Sequence, residues 1–306
     1  MKTSATPVIG IDVASRELVL CDGKISRLAN TPTAVRAYLR RVSQPVLLVC
    51  EATGGYERSL VAEAHALGLA IHVANPRRVR DFARSLGRLE KTDPIDAGVI
   101  RRYGEAVRPA PSPPADPAQA QLRELVDLRH DLSEEQTRWA NRLAHATALT
   151  RTAVARRLRI LAREMAEVER QIEHHLATNE SLQDKAQTLC LVPGIGLTTA
   201  AVVLAYLAEL GQLNRRQAAK LAGLAPLNHD SGKYRGQAHI AHGRAPLRKA
   251  LYCAALVAAR WHEDLRIFYQ RLRASGKLPK VALVAVARKL LLILNALLKN
   301  PSPIAS

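Results

Sequence analysis

The sequence predicts an α/β plus α protein: an N-terminal α/β domain of about a hundred residues, a long helical middle, and a mostly helical C-terminal domain. Three observations carry this. Short β-branched or apolar runs alternate with helical stretches up to residue 107. A proline-rich break, RPAPSPPADPAQ (108–119), can sustain neither helix nor sheet. Beyond it, apolar residues recur at steps of three, four and seven, and Ala and Leu dominate.

Taken in order, VIGIDVA (8–14), ELVLCDG (17–23), PVLLVCEA (45–52) and LAIHVAN (69–75) read as strands bounded by turn residues. Helices are expected over 32–42, 56–67, 76–88 and 94–105. The organisation that follows is a domain at 1–107, a linker at 108–119, a helical segment at 120–184 and a C-terminal domain at 185–306. In the helical segment Leu125, Leu132 and Trp139 recur every seven residues, and Leu158, Leu161, Met165, Val168 and Ile172 step by three and four. Such a seam fits an antiparallel or intersubunit coiled coil, or a helical hairpin packed on its own domain. The C-terminal domain opens with LCLVPGIGLTTAAVVLAYL (189–207), where Gly194 and Gly196 form a Gly-x-Gly turn between two helices. Backbone N–H groups at such a helix start can seat a phosphate, as in helix-hairpin-helix motifs. The late apolar run VALVAVARKLLLILNALL is broken by Arg288 and Lys289, which favours a buried helix over a membrane span.

The chain of 306 residues is 48% hydrophobic, only 4% aromatic, and carries a formal net charge of +18. That excess points to polyanionic partners, nucleic acid first. Residues 1–108 hold +6, residues 109–184 hold −2 and residues 185–306 hold +14, so the last third is the place to hold a polyanion. The four cysteines (Cys21, Cys50, Cys190 and Cys253) show no zinc spacing and read as reduced thiols. With no signal-peptide pattern at the N-terminus, a cytoplasmic protein without a membrane partner is expected.

Asp12 interrupts the apolar strand VIGIDVA, where a carboxylate is costly unless it is paired or bound to a cation. Glu51 ends another strand, and KTDPIDA sets Asp93 and Asp96 three apart at a helix start. Asp93 alone fits an N-cap ahead of a proline. With Asp12 and Glu51, however, the four acids would make an oxygen cage for Mg²⁺, of the kind that holds a phosphodiester. A second polar feature lies in apolar surroundings: DSGKYRGQAHIAHGR (230–244), a glycine-punctuated island bearing Ser231 amid basic residues.

The phrases IGIDVAS, CEATGGYE and KTDPIDA, then LCLVPGIG, LAGLAP, SGKYRGQAHIAHGR and LRKALYCAAL, occur in that order. Together they resemble the DEDD transposases of insertion sequences and the related Piv-type DNA invertases. The resemblance implies a RuvC-like (RNase H-type) N-terminal domain and a DNA recombinase. In this family Asp12, Glu51, Asp93 and Asp96 correspond to the metal-binding tetrad and Ser231 to a second catalytic centre. Many members are directed by an element-encoded bridge RNA and assemble as dimers or tetramers. A serine hydroxyl needs activation, which metal and nearby cations can supply.

Lys233, Arg235, Arg244, Arg248 and Lys249 then become candidate phosphate contacts. Arg77, Arg80, Arg84 and Arg88, at helical spacing, form a second cationic stripe. His229, His239 and His242 lack partners for a convincing metal set and fit phosphate contact or solvation better. The competing readings are a junction-resolving metal endonuclease using water, and a nucleic-acid-binding protein with an inactive nuclease domain.

Overall fold

A computed structural model of the chain describes residues 6–87, 93–114, 116–227, 230–231, 234–235 and 239–300, with backbone only at 93–95, 227, 230–231 and 234–235. It divides into two compact units, Met1–Pro114 and Ala115–Ser306.

The first unit is built on one five-stranded sheet. Strands β1 (Val8–Val13), β2 (Glu17–Cys21) and β3 (Ile25–Ala29) form an antiparallel meander. β4 (Leu47–Glu51) and β5 (Ala70–Ala74) continue it in parallel, giving the order β3-β2-β1-β4-β5. The four expected strands are present. β3 was not expected, because ISRLA is an exposed edge strand and lacks the apolar alternation that marks a buried one.

Helices α1 (Pro32–Leu39) and α2 (Arg58–Ala66) cover one face, where Ile9, Ile11, Leu48 and Cys50 meet Val35, Leu39, Leu60 and Ala64. Each large aliphatic side chain buried there contributes roughly 1.5–3 kcal/mol. Arg36 donates to both oxygens of Glu63, from Nε at 2.6 Å and from Nη2 at 3.0 Å, and so joins α1 to α2. The other face, with Val8, Val49 and Ala74, receives α3 (Pro76–Ser85) and α4 (Asp93–Val107) through Val79, Val99, Ile100 and Tyr103.

In the second unit, the side chain of Asp116 caps α5 (Pro117–Ala144) by accepting from the Ala118 N–H. α5 and α6 (Ala148–Thr178) pack along each other as a hairpin, bridged by Arg129–Glu169 at 2.6 Å and Arg157–Glu135 at 3.0 Å. α7 (Glu180–Cys190), α8 (Leu197–Tyr206) and α9 (Arg215–Leu221) follow.

Two small antiparallel ladders follow. β6 (Pro226–Leu227) pairs with β9 (His239–Ile240), and β7 (Asp230–Ser231) with β8 (Tyr234–Arg235). α10 (Ala245–Trp261), α11 (Glu263–Ala274) and α12 (Pro279–Lys299) close the unit. Although α12 is long and apolar enough to cross a membrane, Leu283, Val286, Leu290, Leu291 and Leu294 lie in this unit's core. Its buried Asn295 amide also donates to Leu213 O and accepts from the Gly211 N–H.

Candidate catalytic site

In the first unit the ladder between β1 and β4 runs Val8↔Leu47 to Ile11↔Cys50. One further step at the same offset sets Asp12 beside Glu51. Paired residues on neighbouring strands share a face, and for these two it is the face of Val8, Gly10 and Val49. α4 lies over that face, antiparallel to β1. Its Gly104 abuts Val8 and Val49, and the backbone of Ala97 and Arg101 abuts Gly10.

The two residues from Gly10 to Asp12 advance ~6.6 Å along the strand, which four to five helical residues match. The level of Asp12 is therefore the first turn of α4, where Asp93 and Asp96 stand. Asp12, Glu51 and Asp96 are partly exposed, and the carboxylate of Asp93 lies outside the described side chains. Among the described residues, no group of three or more His, Cys, Asp or Glu converges as a ready metal cage. Carboxylate oxygens, such as those carried by the ends of these adjacent strands, are the donors that a hard divalent cation prefers.

The turn that follows Glu51 is held by a residue the sequence reading missed. One oxygen of Glu57 accepts from the Thr53 N–H at 3.0 Å, the Thr53 hydroxyl at 3.0 Å and the Gly55 N–H at 2.9 Å. Burial alone would push this carboxyl up. Those donors, together with its own N–H, more than offset it and hold the group below its ordinary value. Asn30 then ties this turn to the loop after β1, donating to Ala14 O at 2.9 Å and Tyr56 O at 3.1 Å. The two acid-bearing strand ends are thereby linked. The only advance signal was the second acid of CEATGGYE. Burial, followed by the charges of Glu57 and Glu51, pushes the neighbouring Cys50 thiol up to about 12, so it is no nucleophile.

On α3, Arg77, Arg80 and Arg84 are exposed on the side opposite the buried Val79, and Arg84 lies 3.6 Å from Asp81. Arg88 is outside the described residues.

In the second unit, Ser231 pairs with Tyr234 across β7 and β8, and Asp230 with Arg235. The side chains of Ser231 and Arg235, and all of His229, Gly232, Lys233 and Gly236, lie outside what is described. The base of this hairpin is held by Arg244. Arg244 donates to both oxygens of Glu209 at 2.9 and 2.8 Å and to Tyr206 O at 2.6 Å, so its guanidinium is committed to the scaffold. Arg248 donates to His242 O at 2.5 Å, while Lys249 is exposed. Gly194 packs on α10: a Cβ there would stand 2.8 Å from Ala254 O. Gly196 caps α8, and the space where its Cβ would sit is open.

A family model of DEDD type, described as Transposase, matches residues 9–154, and one described as Transposase IS116/IS110/IS902 family matches residues 186–270. The chain belongs to the IS110-type transposase family. The pilin gene-inverting protein of Moraxella lacunata is 27% identical over 260 residues, covering 84% of this transposase and 81% of the relative. An insertion element IS900 protein of Mycobacterium paratuberculosis is 35% identical over 121 residues, 38% of this chain and 30% of the relative. A Streptomyces coelicolor IS110 protein is 32% identical over 114 residues, 37% and 28% of the two chains. The transposase is thus one of a family of DNA-recombining enzymes. Its DEDD domain is RuvC-like and of a kind that works with a divalent metal ion, typically Mg²⁺.

Proposed function

We propose that this transposase is a Mg²⁺-dependent DNA recombinase in which Asp12, Glu51, Asp93 and Asp96 hold the metal and Ser231 is the nucleophile. The observation that carries the reading is the register that sets Asp12 beside Glu51 at the level of the α4 N-terminus, where the sequence reads DPID. When bound, the metal neutralises charge on the phosphodiester and stabilises the attacking and departing oxygens.

The serine Oγ bonds to phosphorus as the bond from phosphorus to the 3′-oxygen breaks, and the proton from Oγ ends on that 3′-oxygen. The phosphoserine link keeps the energy of the broken bond, so a second 3′-hydroxyl can reseal the strand without ATP. Arg235, Lys233 and Lys249 serve the phosphate, and Arg77, Arg80, Arg84 and Arg88 the nucleic-acid backbone.

In this reading residues 1–107 are the nuclease domain and 185–306 the serine-bearing domain, with the Gly-x-Gly turn of 194–196 seating a phosphate. The hairpin of α5 and α6 acts as a coiled coil through which copies assemble as dimers or tetramers. Donor and target DNA are chosen by an element-encoded bridge RNA. The relatives named for pilin gene inversion support inversion as well as insertion chemistry. Reduced thiols suit work in the bacterial cytoplasm, at the nucleoid.

The test is denaturing electrophoresis of the transposase with its own element ends, flanking DNA and co-purified RNA. A Mg²⁺-dependent protein–DNA adduct is expected, absent in Ser231→Ala. An adduct that persists in that variant overturns the nucleophile. Free 5′-phosphates without adduct point instead to a water-using endonuclease. Recovery of only random cellular RNA removes the guide.

A further inference from the structure

The acidic balance of the helical middle conceals a basic end. Between Gln136 and Arg163 the chain carries seven arginines and no acidic residue, whereas the other residues of 109–184 hold all twelve of that segment's acids. In the folded hairpin this stretch is its tip: the last turns of α5, the connection at 145–147 and the first half of α6.

Arg157 pairs with Glu135, the last acid before the tip. Arg138, Arg142, Arg151, Arg156, Arg159 and Arg163 are exposed. Among the described residues none of these six is in an ion pair. Arg142 rests over the Trp139 ring, 5.6 Å from its centroid, and Arg151 donates to Ala146 O at 3.1 Å.

This arrangement works against the helix that carries it. Arg156, Arg159 and Arg163 are neighbours at steps of three and four, where like charges destabilise, and they stand in the half of α6 nearest its positive N-terminal end. A face chosen for stability would interleave acids, as the base of the same hairpin does with Arg129–Glu169 and Arg170–Glu167.

We propose that the tip of the α5–α6 hairpin is a docking surface for the phosphate backbone of duplex DNA. The family's substrate is DNA, and the guanidinium is the side chain best matched to phosphate. The row from Arg156 to Arg163 spans ~10 Å, which faces about three phosphates of one strand. The contact is independent of sequence and of cleavage, and it holds DNA flanking the reacting bond.

The test measures binding of the full-length transposase to a labelled duplex of roughly 30 base pairs and arbitrary sequence, in chelator, over a range of salt concentrations. The triple variant Arg156→Gln, Arg159→Gln, Arg163→Gln is compared with the charge-matched Lys24→Gln, Arg40→Gln, Arg41→Gln. The tip variant should bind more weakly, with its salt slope shallower by about 2 to 3, since each phosphate contact contributes about 0.9. The matched control should change by less than about 1.

An unchanged slope in the tip variant, or an equal change in the control, overturns the proposal. So does a loss confined to a duplex RNA probe, or a change in oligomer size at unchanged slope. Should the triple variant fail to fold, Arg159→Gln alone should lower the slope by about 0.9, and Arg170→Gln, drawn from the paired base, should leave it unchanged.

Discussion

Gly223 and Gly243 lie backbone against backbone at the foot of the serine-bearing hairpin, and neither has room for a methyl group. A Cβ on Gly243 would stand 2.2 Å from Gly223 N, and one on Gly223 would stand 2.2 Å from His242 O. Both have φ +67, and the Arg244 N–H donates to Leu221 O at 2.9 Å beside them. The crossing sets where the two legs of the hairpin leave the helical scaffold. Gly243→Ala should cost at least ~2 kcal/mol, because the blocking atoms are backbone and the left-handed conformation adds its own strain. Thermal unfolding measures the loss. Cleavage should fall further than stability does, since the hairpin that bears Ser231 is the part displaced.

Glu57 makes the first unit's stability depend on acid pH in a defined direction. Its folded carboxyl titrates below the ordinary 4.5, so its contribution is full above that value and fades as pH falls through the lower, folded one. Glu57→Gln cannot titrate, and it should narrow the gap in stability to wild type as pH drops below about 4. At neutral pH Glu57→Ala should cost about 2 kcal/mol and Glu57→Gln about half that, the partial exposure of the group holding both down. Urea unfolding at several pH values reads both effects. A constant gap would show that the three donors do not set the titration.

Much of this architecture was legible before folding was considered. The buried strands announced themselves by runs such as VIGIDV and LLVCE, and Asp12 stood out because an acid in such a run demands a reason. What periodicity could not supply was register: that Asp12 and Glu51 are neighbours follows from the ladder offset between β1 and β4. The strand ISRLA escaped notice because an exposed edge has no core to pattern its side chains. Glu57 and Asn30 were hidden for a similar reason, since their work is done on backbone groups that have no sequence signature. At Arg244 charge alone suggested phosphate, whereas the fold engages it with Glu209. The basic tip was lost by averaging, because the acidic base of the same hairpin cancels it in any segment-wide count.

Metal should stabilise the first unit through the strand acids. Mg²⁺ or Mn²⁺ at about ten times its dissociation constant adds ~1.4 kcal/mol to a native state that alone binds it. The wild-type chain should therefore unfold at a higher temperature with Mg²⁺ than in chelator. Asp12→Asn and Glu51→Gln should each abolish the difference, and Asp96→Asn should reduce it. Scanning calorimetry with and without chelator decides this without any DNA. A shift that survives in Asp12→Asn would place the ion elsewhere.

The close packing of α4 on the sheet governs the same site, and its two glycine contacts should behave differently. A methyl on Gly104 would come within 2.7 Å of the Val8 Cγ1 and 2.8 Å of the Val49 Cγ2, which are side-chain atoms that can be trimmed. One on Gly10 would meet Ala97 O and Arg101 N at 2.3 Å each, both of them helix backbone, so the helix itself must lift. Either substitution should cost about 1–3 kcal/mol as overpacking. Val49→Ala should recover part of the loss in Gly104→Ala and none of it in Gly10→Ala. Gly10 also sits next to the level of Asp12, whereas Gly104 packs toward the far end of β1. Gly10→Ala should therefore lose the Mg²⁺-dependent rise in unfolding temperature, because lifting α4 carries Asp96 away from the strand acids. Gly104→Ala should keep that rise on a lower baseline. If the two variants lose it equally, the first turn of α4 does not complete the metal site, and Asp93 and Asp96 are left as the capping end of a helix.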